Sequence, residues 1–344
     1  MIANTTRLST YTTAAAALAL MCVASCGPTP RSPEPDNLFW PMPPDPPKIK
    51  YIQSIYTEDD IGRVYTLKEK LFGKDYVDNM ARPYGVRARH GKFVVSDIGL
   101  RRVLVFDLEK KRLRVLGEEG SLVTPASAAV DRSGTVYVAD TGGAKITAYG
   151  PDGVYRTAFI LKGSRPVAVA LNEDLGRLYV VDRDGHRVVV FKLDGTHLFE
   201  FGGRGSSDGK LNIPIDVAVG AGGTVYVLDG GNFRVQRFTA DGAFLSKFGA
   251  VGDRPGLFAN PKGIALDSQG HIYVTDAAFS NVQIFDPQGN ILLFIGQLGP
   301  RPGYFHLPGG IAIDENDRIY VADQLNGRIQ VFQYLKTQGS TSIP

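Results

Sequence analysis

Apolar and polar residues alternate in short runs along most of the chain, most cleanly from Asn260 to Gly296, NPKGIALDSQGHIYVTDAAFSNVQIFDPQGNILLFIG. Four runs stand out there: GIALD, HIYVTD, NVQIF and NILLFIG. Side chains of an extended strand point to opposite faces in turn, so a period of two predicts half-buried strands. SQG joins the first pair of runs and PQG the last pair. Glycine there supplies the positive φ that tight hairpins need. Four antiparallel strands of this length make one blade of a β-propeller.

The stretch recurs, and three markers keep it in phase. A proline opens the first strand at Pro83, Pro125, Pro166, Pro214, Pro261 and Pro308. An aspartate closes the second at Asp97, Asp140, Asp182, Asp229, Asp276 and Asp323. An aromatic follows nine residues later, at Phe106, Tyr149, Phe191, Phe238, Phe285 and Phe332. Aspartate spacings of 43, 42, 47, 47 and 47 residues predict six blades.

In register, the pattern resembles the NHL repeat. The match is closest over Asn260-Pro261-Lys262-Gly263-Ile264-Ala265-Leu266-Asp267, Arg318-Ile319-Tyr320-Val321-Ala322-Asp323 and Asn326-Gly327-Arg328-Ile329-Gln330-Val331-Phe332. It covers about residues 82–335 and is weaker in the first three blades. The expected fold is all-β: a six-bladed propeller of four-stranded NHL-type blades.

The sixth repeat lacks a fourth strand, and an alternating run stands ahead of the first, Lys50-Tyr51-Ile52-Gln53-Ser54-Ile55-Tyr56. Pairing that run into blade six closes the ring and covers edges that invite aggregation. Between it and blade one, LKEKLFGKDYVDNM has helical spacing at Leu67, Leu71 and Phe72. The spacing predicts a short amphipathic helix. Resemblance to bacterial lipoproteins with this propeller implies that it packs on the ring as a plug or flank.

Composition changes the picture at the N-terminus. No apolar run reaches 18 residues, and AAAALALMCV after Arg7 is the length of a signal-peptide core. It ends in Val23-Ala24-Ser25-Cys26-Gly27, which resembles the bacterial lipobox and implies a diacylated Cys26 as membrane anchor. Gly27 is not the aspartate that enteric-type bacteria use for inner-membrane retention, so the outer membrane is expected. Residues 27–50 hold nine prolines and favour extended polyproline II. Leu38-Phe39-Trp40, with the only Trp, either docks on the domain's flank or touches a partner or membrane. The expected division is a signal peptide over 1–25, a tether over 26–49, a propeller over 50–335 and a polar tail over 336–344. Within the propeller, 50–56 closes the ring, 57–81 is the helical connection and 82–335 holds the repeats.

Beyond Cys22 and Cys26 the chain has no cysteine, which excludes a disulfide framework and a thiolate nucleophile in the propeller. The net charge of +3, with both signs interspersed, provides no basic stripe for nucleic acid.

Turns between first and second strands are tight, whereas GGRGSSDGKLNIP, GAVGDRPGLFANP and GQLGPRPGYFHLP connect later blades on the other face. Long loops on a rigid scaffold are where binding is usually placed, so that loop face and the central opening are the expected site. The repeated aspartates are read as architecture, because five of the six have a base five residues later, at Arg102, Lys145, Arg187, Arg234 and Arg328. Departures from the repeat are the candidate binding residues. Asp216 stands where other blades have Gly85, Gly263 and Gly310, and Arg87 stands where most have Ala. Arg82, Arg165 and Lys262 flank opening prolines and form a basic rim, and Tyr304 and His306 lie in the last long connection.

The amidating lyase resembles this chain in repeat pattern and implies a histidine-held zinc. Here His90, His197 and His271 fall in tight turns, and only His186 and His306 reach the loop face, short of the three ligands such a site needs. Asp216 alone does not supply the six to eight oxygens of the axial calcium in lactonase-type propellers. No metal or other cofactor is therefore expected. The reading is a lipid-anchored, non-catalytic binding or scaffolding module of the cell envelope. It carries a protein or glycan partner on the loop face, and no nucleic acid. The alternative is a metal-assisted hydrolase or lyase with its site in the central opening.

Overall fold

The computed structural model describes residues 38–72, 79–117 and 121–336. The signal stretch, Cys26 and the chain from residue 337 lie outside the described residues.

Six antiparallel sheets form six blades. The first strands are Pro83–Arg89, Pro125–Val130, Pro166–Asn172, Pro214–Val219, Pro261–Leu266 and Pro308–Ile313. Each touches the first strands of its two neighbours around the full ring, so these six line the axis. In every blade the pairing with the second strand slips just after the opening proline. Proline has no N–H for a regular ladder, and a bulge there re-aims the side chains that follow. Gly85 and Gly263 then allow the first strands to close up: a Cβ on Gly85 would lie 2.5 Å from the Ala126 carbonyl.

The core is divided into six clusters, each lying between two adjacent blades. All six marker aromatics sit in it, none more than 7% exposed. The repeated aspartates are wholly buried. Each receives backbone N–H bonds from the segment that leads into its blade, such as Ala81 N to Asp97 at 2.7 Å and Asn212 N to Asp229 at 2.7 Å. Arg187, Arg234 and Arg328 bond their aspartates at 2.8–3.0 Å, and Lys145 stands 4.0 Å from Asp140. The repeat motif is therefore a clasp that ties each blade to the chain entering it.

Blade six is completed from the other end of the chain. Ile49–Ile55 pairs antiparallel with the third strand Arg328–Tyr334, so the ring is closed as its sequence predicts. A fifth strand, Phe39–Trp40, pairs with Ile49 and Lys50. The Pro-rich tether thus does not run as far as residue 49. The Trp40 ring meets Phe332 edge-on at 5.7 Å, which accounts for the apolar trio as a dock on the domain's own flank.

The connection to blade one differs from its expectation. Among the described residues of the connection, a 3-10 turn spans Glu58–Ile61 and α-helix spans Leu67–Phe72, and residues 73–78 lie outside the described residues. Leu67, Leu71 and Phe72 are 74%, 68% and 80% exposed, so the helix does not pack on the ring through that stripe. Six residues make less than two turns, too short to hold a continuous apolar face against a partner.

Candidate functional site

Both axial departures from the repeat come together. Arg87 of blade one and Asp216 of blade four are opposite in a ring of six, and their side chains form an ion pair across the axis. The Arg87 guanidinium also donates to the carbonyls of Val86 at 3.0 Å and Val217 at 3.2 Å. Asp216 accepts the N–H groups of Val217 at 2.9 Å and Ile264 at 3.0 Å. With side chains 16% and 6% exposed, the two residues bond each other and the backbone, and they close the channel. On the tight-turn side of this plug a cavity of about 130 Å³ remains, walled mainly by Ala, Val, Leu and Ile. That is smaller than the several hundred Å³ usual for a small-molecule pocket.

On the loop side the channel ends in a basic mouth. Tyr84 follows the opening proline of blade one. Burial and the Asp216 carboxylate push its phenol above the ordinary value, against the opposing fields of Arg183, Arg165 and Arg82. Lys262 enters from blade five. Burial and then the charge of Arg183 hold its ammonium below the ordinary value, against Asp276. Blades one, three and five thus contribute Arg82, Arg165 with Arg183, and Lys262. The nearest counter-charges are weakly placed: Asp184 is 3.9 Å from Arg165 and half exposed, and Asp276 is occupied by backbone N–H groups. Electrostatically the mouth suits an oxyanion. Arg183 and Tyr84 escaped the sequence reading. Arg183 was findable, because the residue after the closing aspartate is Ile98, Thr141, Gly230, Ala277 or Gln324 elsewhere.

The remaining loop-face candidates do not join this mouth. The Tyr304 carbonyl accepts from Arg328 at 3.0 Å and Gln330 at 2.6 Å, and its ring stands over Gly299. The His306 N–H goes to Asp323 at 2.7 Å while its side chain is exposed. His186 accepts the Ile213 N–H on Nδ1 at 3.0 Å, which leaves its proton on Nε2. The long connections are themselves held down: Arg234 and Gln236 bond carbonyls of Ser206, Ser207 and Lys210, and Gln283 does the same at Leu257. Among the described residues no three His, Cys, Asp or Glu side chains are grouped as metal ligands.

The tight-turn face carries a second network. Glu173, in the first-to-second turn of blade three, accepts from His90 Nε2 at 3.0 Å and the Arg132 N–H at 2.8 Å, and pairs with Arg89 at 3.1 Å. Burial alone would raise its pKa, but the His90, Arg132 and Arg89 contacts outweigh it and hold the carboxyl below its ordinary range. This joins blades one, two and three around the closed end of the channel.

The model of the NHL repeat matches residues 164–191, 211–238, 258–285 and 305–332, which fall in blades three to six. No curated protein matches the chain. Among solved structures, a gluconolactonase from Xanthomonas campestris is similar at TM-score 0.58 and 19% identity, over 83% of this chain and 98% of that one. Virginiamycin B lyase from Staphylococcus aureus is similar at TM-score 0.56 and 13% identity, over 84% and 100%. An auxiliary nutrient binding protein from Bacteroides thetaiotaomicron is similar at TM-score 0.59 and 14% identity, over 75% and 70%. Enzymes and a binding protein thus share this fold, and the likeness concerns the fold alone.

Proposed function

Because the chain is a six-bladed β-propeller built on NHL repeats, function must be sought in what its blades do not share, and we propose that it is a non-catalytic binding module that holds an acidic group of a protein or glycan partner at the basic mouth. One observation carries this reading. Arg82 of blade one and Arg165 and Arg183 of blade three act on Tyr84, and Lys262 of blade five lies near Arg183, above a channel that Arg87 and Asp216 close. A mouth with a floor and a surplus of positive charge captures and orients an anion, and the floor keeps it from passing through. The residues assigned are Arg82, Arg165, Arg183, Lys262 and Tyr84, with Arg87 and Asp216 as the floor. In this proposal Cys26 carries lipid and fixes the disc to the cell envelope, at the outer membrane.

The test is capture of partners from the organism's own membranes after crosslinking, comparing the native protein with Arg183→Ala/Lys262→Ala. The native protein should retain a partner that the variant loses. An unchanged set of captured partners, with the variant normally folded, refutes the mouth as the binding site. Turnover of a lactone or ester that depends on a metal surviving dialysis would favour the alternative hydrolase or lyase. Cys26→Ser should release the protein from sedimented membranes, and a variant that still sediments overturns the anchor.

A further inference from the structure

Three of the six blade junctions are sealed at their outer edge by a phenylalanine. Phe159, Phe201 and Phe248 occupy matching places on the fourth strands of blades two, three and four. Each ring lies against the glycine of the last hairpin in the next blade. A Cβ on Gly195, Gly242 or Gly289 would come within 2.4–2.7 Å of those rings. Blades five and six have Ile295 and Ile55 there instead, and blade one also lacks the ring. Its fourth strand, Arg112–Leu116, has Leu116 in that register, opposite Val103. Gly153 of blade two meets the Arg114 stem and Leu116 in place of a ring. The core between these two blades contains Tyr149 as its one ring and is otherwise Val, Leu and Ala.

A cavity of about 470 Å³ lies between blades one and two at this junction and opens on the tight-turn face. This falls within the usual range for a ligand site. Its lining includes five cations, Lys92, Lys110, Arg112, Arg114 and Arg132, against the one carboxylate of Asp107. Asp107 stands 4.0 Å from Lys92 and also caps the Lys110 N–H. Arg114 donates one N–H to the Pro151 carbonyl, which leaves further donors of the guanidinium available. Arg132 pairs with Asp174 at 3.1 Å. Among the described residues no carboxylate pairs with Lys110 or Arg112. Alternation along the strand puts Arg112 and Arg114 on one face, roughly 6–7 Å apart along the backbone.

We infer that this inter-blade groove is a second binding site, distinct from the mouth, and that its ligand is a multiply charged phosphate-bearing molecule. Two forked guanidiniums on one face suit successive phosphates, which they grip through paired N–H donors. The lining has no aromatic ring, so stacking on a nucleobase has no platform. The groove is deep enough for a short chain of phosphates and too local for a long one.

The probe is tripolyphosphate, titrated calorimetrically into the full-length protein in detergent at low salt, with citrate as the polycarboxylate comparison. Saturable binding is expected, weakening as salt rises. In a background of Arg183→Ala/Lys262→Ala, which removes cations of the mouth, tripolyphosphate should still bind, and adding Arg112→Ala with Lys110→Ala should lower that affinity at least tenfold. Leu116→Phe keeps every charge and refills the junction, and should also lower affinity tenfold without loss of thermal stability. The inference is overturned if tripolyphosphate does not bind, or if the mouth variant and not the groove variant abolishes binding. It is overturned equally if citrate binds as tightly. Arg112 and Lys110 are surface residues, so that variant reads binding even if Leu116→Phe misfolds.

Discussion

Removing Asp216 tests whether the axial ion pair holds the ring together. Its carboxylate is 6% exposed on the side chain and accepts N–H groups from Val217 and Ile264 as well as the Arg87 guanidinium. Asp216→Ala leaves a largely buried guanidinium without its counter-charge and strands the Ile264 N–H. Removing one partner of a buried pair costs about 3–5 kcal/mol. At about 2–3 °C per kcal/mol for a domain of this size, the melting temperature should fall by roughly 6–15 °C. Arg87→Ala is milder, about 1.5–3 kcal/mol, because Asp216 keeps two backbone donors. The double variant Arg87→Ala/Asp216→Ala removes both charges and should cost no more than Asp216→Ala alone, a coupling of about 2 kcal/mol. Urea unfolding of all four proteins gives the cycle. If the double variant costs the sum of the singles, the residues do not act as a pair, and the account of the closed channel is wrong.

Three further outcomes are expected. His271 donates to Asp267 at 2.8 Å, a bond that raises its pKa above the ordinary 6.5 despite burial. Its contribution is thus complete below about pH 6 and is lost as pH rises through the raised folded value. His271→Asn should accordingly cost more stability at pH 5 than at pH 9, and equal costs would refute the pair. Deleting residues 38–56 strips the fourth and fifth strands from blade six and uncovers Phe332, so the melting temperature should fall by more than 10 °C, roughly what losing several buried side chains implies. Arg234→Ala frees the carbonyls of Ser206 and Ser207 and leaves that of Lys210 to Gln236 alone, and hydrogen exchange at Gly205 and Leu211 should speed up while the distant blade-one amides stay protected.

The ring was legible because its markers are local. Proline, aspartate and aromatic recur at fixed offsets, and each does the same work in every blade. Arg87 and Asp216 were visible as departures, but not as partners. They are 129 residues apart, and only closure at six blades sets them opposite each other. Arg183 stands one residue past a marker common to all six blades, at a position where the repeat prescribes no residue type. The Leu67–Phe72 helix shows the limit of periodicity, which finds an apolar stripe but not whether anything covers it. The groove was hidden for a different reason. It is lined from two blades, and Lys110, Arg112, Arg114 and Arg132 come together only once those blades stand side by side.

The antiparallel pairing of Ile49–Ile55 with Arg328–Tyr334 fixes where the chain enters the disc. The first described strands, Phe39–Trp40 and Ile49–Ile55, lie at the rim of blade six. A tension applied through the N-terminal side is taken up by edge strands and by Trp40 on Phe332, remote from the axis. The basic mouth and the inter-blade groove open on opposite faces. In the proposed arrangement, a ring hung by its edge would present both at once.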